Sequence, residues 1–472
     1  MGEGARESVV LAAIARAAPC PVNLDWANPC GLAWRMPRPS PAAHAPLDDS
    51  PWLSSQQAAA VLGVQRASLY SYVSRGLLRA QTQSGQRGHV YARADVQRLA
   101  IQRQSVRNPA RLAQSTLDWG TPVLASAITQ VEGGQLYYRG HLAASLATHA
   151  SLEEVAALLW DQKMPVALDE EAPPAHKVIA NWDLPRAPAR ALSAWYGGTE
   201  VLEAEMEHAT LWPLALLQCM AEILTGQPVT NAAQQLHLLQ KTKRLRPLHK
   251  RLGQIWQANP AHANILRQAL VLCTDHELNA SSFATRVVAS TGASLHASVG
   301  AGLAALSGPL HGGMTEVIAS HWEDWHRAGR KGLAPSLRRL LADTRLGTTP
   351  HYCAGFGHPL YPAGDPRSLH LLALLAPDAA REQLLRQVYE DTGLHPSLDY
   401  ALVAIQRSLG LPAGAAFVLF ALGRTAGWIA HALEQRASGQ LIRPRARYVG
   451  QPPIDSSGTH AAQRPPGRVI RF

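Results

Sequence analysis

The chain is poor in cysteine, with only Cys20, Cys30, Cys219, Cys273 and Cys353 in 472 residues and no CxxC pair. That scatter excludes a disulfide framework and a cysteine-based metal site, and it predicts free thiols in a reducing compartment. No internal repeat of about 20 to 50 residues is present, which excludes a solenoid or propeller. β-branched runs are scarce after Ser115, so a large sheet is not expected there. Long apolar runs free of interruption are also lacking. TGASLHASVGAGLAALSG is rich in glycine and holds His296, while AFVLFALGRTAGWIAHAL carries Arg424 near its middle; both read as buried helices rather than bilayer spans. The apolar run VVLAAIARAA near the start is broken by Arg16 and leads to no small-residue cleavage site, so the expected compartment is the cytoplasm.

What is present is a 47% hydrophobic, 17% charged composition, that of a globular protein able to bury a large core. The length predicts two or three domains. Residues 1–50, with the string PRPSPAAHAP, read as a flexible leader, and residues 451–472 as a disordered tail, because proline, glycine and serine replace apolar periodicity in both. The formal net charge is +10 and is unevenly spread: from Trp52 to Ala113 there are nine arginines and a single acid, Asp95. Such an excess implies an anionic partner or a solvated basic face.

Residues 51–112 form the first expected unit. Ser54 or Ser55 can cap a helix that turns Ala58, Ala59 and Leu62 inward; Gly63 turns the chain, and a second helix runs from about Gln65 to Ser74 before Gly76. A hairpin turning around Ser84–Gly88 and a helix from Ala94 to about Arg103 follow. These roughly fifty residues resemble the winged helix-turn-helix domain of MerR-like regulators and excisionases. The resemblance implies that the helix carrying Arg66, Ser68, Tyr70 and Ser71 enters a DNA major groove, with Arg79 and Arg87 near the wing on phosphates. An ordinary helix pair kept for packing or dimer contacts is the plainer alternative.

After Ser115 the texture changes to long Ala/Leu-rich helical stretches punctuated by proline and glycine. A short hairpin around Gly133-Gly134 precedes a helix capped near Ser151 with Glu153 and Glu154 in its first turn, and the segment LDEEAPPAHKVIANWDLPRAPAR reads as a long surface connection. Six strings then follow in order: DHELNASSFATRVVASTG, SGPLHGGMTEV, GFGHPLYPAGDPR, HPSLDYAL, LFALGRTAGWIAHALEQ and IRPRARYVG. Together they resemble the citrate synthase family over about residues 113–450. The resemblance implies a mainly α fold with a large and a small helical domain, the small one spanning about 311–394, preceded by the winged helix.

It also implies a chemistry. An acyl thioester's α-proton is too weakly acidic for an unaided carboxylate, so the enolate must be stabilised as it forms. By resemblance Asp399 is the base, His311 the enol-stabilising imidazole and His358 the donor to the ketone under attack. Arg367, Arg424 and Arg443 match the family's carboxylate-binding arginines, the bidentate forks a dicarboxylate such as oxaloacetate needs, and His276 matches its further substrate histidine. Gly355, Phe356 and Gly357 match the acyl-CoA-binding string, and Gly312 and Gly313 are expected to let backbone approach the substrate. The expected partners are acyl-CoA, oxaloacetate and a second copy of the chain, whose site Arg443 would reach. No cofactor beyond the acyl-CoA substrate, no metal and no membrane is expected; DNA is expected only through the N-terminal unit.

Taken singly, these residues have plainer readings. Asp399 could cap a helix, Arg424 could pair with a structural acid such as Glu434, and Arg443 and Arg445 could solvate a helix end. The chain also departs from the family where Pro359-Leu360-Tyr361-Pro362 stands in place of a basic string, removing two cations expected near the coenzyme A phosphates; Arg338, Arg339 or Arg345 are the candidate substitutes. Two rival functions remain: 2-methylcitrate synthesis from propionyl-CoA, and a DNA-binding regulator using the second unit as metabolite sensor.

Overall fold

The computed structural model describes residues 52–74, 78–82, 89–92, 95, 96, 99, 124–172, 188–198, 210–228, 232–328, 332–341, 355–446, 448 and 450. The leader, the tail, the expected wing turn with Arg87, and Arg345 lie outside them. The chain divides into two compact units, Met1–Asp118 and Trp119–Phe472.

In the first unit, β1 (Trp52–Ser54) leads into α1 (Ser55–Leu62), α2 (Arg66–Ser74), β2 (Ala80–Thr82) and β3 (His89–Ala92), with an antiparallel sheet in the order β1-β3-β2. Ser54 is the cap of α1: its side chain accepts the Gln57 amide while Gln57 bonds back to the Ser54 amide. Gly63 ends that helix at φ 59°, a left-handed position natural to glycine. Ala58, Ala59, Leu62, Leu69, Leu78 and Tyr91 share a small core. The strand β1 was not expected from the sequence; three residues are too few to display a period.

The second unit is mainly helical. A hairpin of β4 (Thr129–Glu132) and β5 (Gln135–Tyr138) turns through Gly133 and Gly134, both at positive φ, and β6 (His141–Leu142) extends it. Helices α3 (Ala143–His149), α4 (Leu152–Leu159), α5 (Pro188–Gly198), α6 (Trp212–Thr225), α7 (Ala232–Thr242), α8 (Leu248–Ile255) and α9 (Pro260–Cys273) follow. The capping box at Ser151 and Glu154 forms as expected. Where the expected long connection begins, β7 (Ala167–Leu168) pairs in parallel with β8 (Arg244–Leu245), a partner far away in sequence; residues 173–187 of that connection lie outside the described residues.

The site-bearing part comprises α10 (Ala280–Ala289), α11 (Leu295–Leu306), α12 (Met314–Ala328), α13 (Pro335–Leu341), α14 (Pro366–Ala373), α15 (Ala379–Thr392), α16 (Leu398–Ser408) and α17 (Ala415–Ser438). Helix α17 is the axis of the core, packing on α4, α6, α9, α10, α11, α12 and α16. It is long and apolar enough to cross a membrane, but its apolar window is 94% buried inside the unit, which is the property of a core helix. Cys219 on α6 and Cys273 on α9 are buried and in no disulfide.

Candidate active site

His276 lies just beyond α9, in a loop where Glu277 adopts a left-handed φ of 49°. The turn sends the Glu277 carboxylate back to the Val131 amide of β4 (2.9 Å) while His276 faces Tyr361, its Nε2 2.9 Å from the phenolic oxygen. Asn279 then caps α10, accepting the Ser281 and Ser282 amides, and the Ser281 hydroxyl stands 2.9 Å from His311 Nε2. The Ser281 hydroxyl donates to the Asn279 oxygen at 2.7 Å, which leaves its own oxygen as the acceptor toward His311.

His311 sits in the turn between α11 and α12. A Cβ on Gly312 would lie 2.6 Å from Leu306, and one on Gly313 2.6 Å from the Ser307 carbonyl. The end of α11 by itself therefore requires glycine at both positions. Gly355, at φ 83°, faces Ile318, where a Cβ would come within 2.5 Å.

The Gly355–His358 segment is stitched to residues 395–397. The Ser397 amide donates to the Gly355 carbonyl (2.8 Å), and the Gly357 amide to the His395 carbonyl (2.7 Å). Phe356 is fully buried against Tyr400. This pairing brings the segment bearing His358 to the N-terminus of α16, whose first turn holds Asp399; Ser397, not Asp399, is the cap residue. Asp399 is 4% exposed, and its Oδ2 accepts from the Ser397 hydroxyl at 3.3 Å.

His358 Nδ1 accepts the Leu360 amide at 3.2 Å, so in the neutral ring the proton is on Nε2. Its ring lies 4.9 Å from that of His276 and 4.8 Å from that of Tyr361. Arg367 lies over Tyr361 at 5.6 Å and is held by Asp365 through two bonds, Nε at 2.9 Å and Nη2 at 2.7 Å. Asp365 also caps α14 and accepts the Leu398 amide, locking α14 to α16.

Arg424, on α17, is 1% exposed. Its Nε donates to the Cys273 carbonyl at 2.9 Å, its guanidinium lies 5.0 Å over Phe420, and the edge of His311 meets the same ring at 5.9 Å. Glu434 is not its partner: that carboxylate accepts from Arg286 and from the Ala127 amide. Among the described residues Arg424 has no bond to a carboxylate.

The electrostatics follow from this burial. Desolvation first, then Arg424, lowers His311 to about 3; desolvation first, then Arg367, lowers His358 to about 4. Burial and the same two arginines hold His276 well below its ordinary value. Burial works against the Asp365 carboxylate, yet Arg367 outweighs it and keeps its pKa low. Three neutral imidazoles thus stand beside two buried cations, a field that favours an anionic ligand.

The structure therefore groups His276, His311, His358, Arg367 and Arg424, and ties Asp399 to them through the backbone. Arg443 is exposed on the segment beyond α17 and makes no hydrogen bond to this group. Arg338 and Arg339 are exposed on α13. In the first unit Arg66 and Tyr70 are exposed on α2, Ser68 is half-buried, and Arg79 is fastened to Asp95 by its backbone amide and by Nε at 2.7 Å. Sequence reasoning missed Tyr361, Asp365, Ser281 and Phe420, although DPR and NASS carry recognisable cap signals for Asp365 and Asn279.

Fold and site together define a mainly helical protein whose grouped, buried histidines and arginines suit an anionic ligand. A profile described as "Citrate synthase, C-terminal domain" matches residues 116–445. Citrate synthase from Acidithiobacillus ferridurans is 27% identical over 376 residues, covering 70% of this chain and 94% of that protein, and citrate synthase from Haloferax volcanii is 29% identical over 383 residues, covering 71% and 96%. The crystal structure of citrate synthase from Thermotoga maritima MSB8 shares the fold, with a TM-score of 0.52 at 24% identity over 71% of this chain and 95% of that one. The chain belongs to the citrate synthase family and is an acyltransferase.

Proposed function

We propose that this enzyme condenses acetyl-CoA with oxaloacetate and water to give citrate and free CoA. The observation that carries the reading is Arg424, buried and unbonded to any carboxylate among the described residues, beside three neutral histidines. Arg367 and Arg424 bind the two carboxylates of oxaloacetate, and His276 donates to it. Asp399 removes a proton from the acetyl methyl carbon while the His311 imidazole stabilises the enol oxygen. The enol carbon attacks the ketone carbon, whose oxygen is polarised by His358 Nε2–H, giving citryl-CoA. Water then cleaves the thioester, releasing citrate and CoA thiol. Closure of a small domain of about residues 311–394 over the large one would exclude bulk water until condensation is complete.

The test is thiol release from acetyl-CoA that depends on oxaloacetate. Asp399→Ala should lower its rate by about 10²–10⁴-fold; equal rates in the two proteins would remove Asp399 as the base. Propionyl-CoA belongs in the same assay, since one methylene changes discrimination by only about 1–3 kcal/mol. A faster rate with propionyl-CoA makes the protein a 2-methylcitrate synthase, and no thiol release with either substrate leaves the sensor reading.

We further propose that the first unit is a winged helix-turn-helix that binds DNA, in a cytoplasmic homodimer whose second subunit supplies Arg443. The exposed Arg66 and Tyr70 on α2 and the local arginine excess support DNA contact. Arg79 is the weaker candidate, since Asp95 offsets its charge. Binding of the protein's own promoter fragment should weaken steeply with salt, by a log–log slope of about −0.9 per phosphate contacted. Affinity unchanged by salt and by Arg66→Ala would dismiss this role.

A further inference from the structure

Tyr400, next in sequence to Asp399, has no exposed surface, and its side chain meets three others from outside α16. Its ring lies 5.2 Å from that of Phe356 and 5.3 Å from that of Trp322, and its hydroxyl stands 3.1 Å from His326 Nε2. His326 is fixed in turn. Its Nδ1 is 2.7 Å from the Trp322 carbonyl one turn earlier in α12, and its ring stacks on Trp322 at 3.9 Å. A nitrogen facing a carbonyl carries the proton, so Nε2 of the neutral ring is bare and accepts the Tyr400 hydroxyl. Burial lowers the His326 pKa and favours this neutral form.

Backbone bonds already fix where α16 begins: the Ser397 amide on Gly355 and the Leu398 amide on Asp365. Packing on α12, α14 and α17 holds the helix as a whole, and the direction of the Asp399 carboxylate depends on the rotation of its first turn. A directional hydrogen bond from the next residue to a fixed ring specifies that rotation. We propose that Tyr400 and His326 are a buried positioning pair, which sets the rotation of the first turn of α16 and thereby aims Asp399 at the substrate carbon. The proposal rests on the reading of Asp399 as base. The pair also links α12, which begins three residues after His311, to the turn that holds Asp399, so two groups acting on the same thioester share one anchor.

Displacing a reacting group by about 1 Å costs about 10²-fold in rate. Tyr400→Phe keeps both ring contacts and removes only the hydroxyl. It should lower kcat by about 10-fold to 10²-fold with KM for both substrates within about twofold. His326→Leu should do the same, and the double variant should be no slower than either single one. His326→Gln places an amide oxygen where Nε2 stood and should stay within about threefold of wild type. Amide hydrogen exchange over residues 398–401 should quicken in Tyr400→Phe and His326→Leu but not in His326→Gln. An unchanged kcat in Tyr400→Phe, losses that multiply in the double variant, or a Gln variant no better than Leu would each overturn the pair. If the wild-type protein releases no thiol, the catalytic reading fails on its own, and exchange still decides: unchanged exchange in both disruptive variants refutes the pair.

Discussion

The Leu360 amide decides which nitrogen of His358 carries a proton, and the decision matters because a neutral ring has only one hydrogen to offer the ketone. Neutrality itself comes from burial beside Arg367. The unfolded chain takes up this proton near the ordinary 6.5, whereas the folded site refuses it until about 4. Between those values the unfolded state binds more protons, so stability is full above pH 6.5 and declines as pH falls toward 4. Chemical denaturation from pH 7 to pH 4 should show this decline, and His358→Asn should shallow it; equal slopes would mean that His358 is not held neutral. Arg367→Lys should raise KM for oxaloacetate by at least about tenfold, because an ammonium cannot keep two bonds to Asp365 and still present a fork to substrate.

Helix α17 meets α9 through bare backbone. A Cβ on Gly423 would come within 2.6 Å of the Leu270 carbonyl, and one on Gly427 would collide with the Thr274 carbonyl and approach the Asp275 carboxylate to 2.8 Å. The closeness at these two glycines is what sets Arg424, between them, against the Cys273 carbonyl. Gly427→Ala should therefore cost about 1–3 kcal/mol by overpacking and weaken oxaloacetate binding as well, read from urea midpoints and from KM. Helix α4 offers a contrast of sign. Glu153 accepts the Leu248 amide at 2.7 Å in a fully buried position, and desolvation raises it from 4.5 to about 7. The folded state then holds a proton that the unfolded chain has released, so this contribution is present below pH 4.5 and lost as pH rises through 7. Glu153→Gln should stabilise the protein at pH 8 and leave it nearly unchanged at pH 5; an equal effect at both would show the carboxyl to be ionised throughout.

For the whole molecule, the question is whether one chain suffices. Arg443 is exposed beyond the C-cap Gly439, and the chain's own bonds do not bring it to His276, His358 or Arg367. If a second subunit delivers it, Arg443→Ala and Asp399→Ala proteins, each nearly inactive, should regain activity when denatured and refolded together, because some mixed dimers carry one intact site. Recovery approaching one quarter of wild type is expected from random pairing, and no recovery would place Arg443 outside the site.

Much of this protein was legible in local signals. Serine caps at Ser54 and Ser151, paired glycines at 133 and 134, and the ordered histidine, aspartate and arginine strings depend on neighbours within a few residues, and the structure forms those caps and turns. The β7–β8 pair, the bond of Arg424 to Cys273 rather than Glu434, and the contact of Tyr400 with His326 were not legible, because each joins residues more than seventy positions apart. Local pattern carries no record of such pairings. The sequence by itself determined which groups could act; only the tertiary structure decided their protonation and aim, since both depend on how far each is removed from water and on which distant neighbour meets it there.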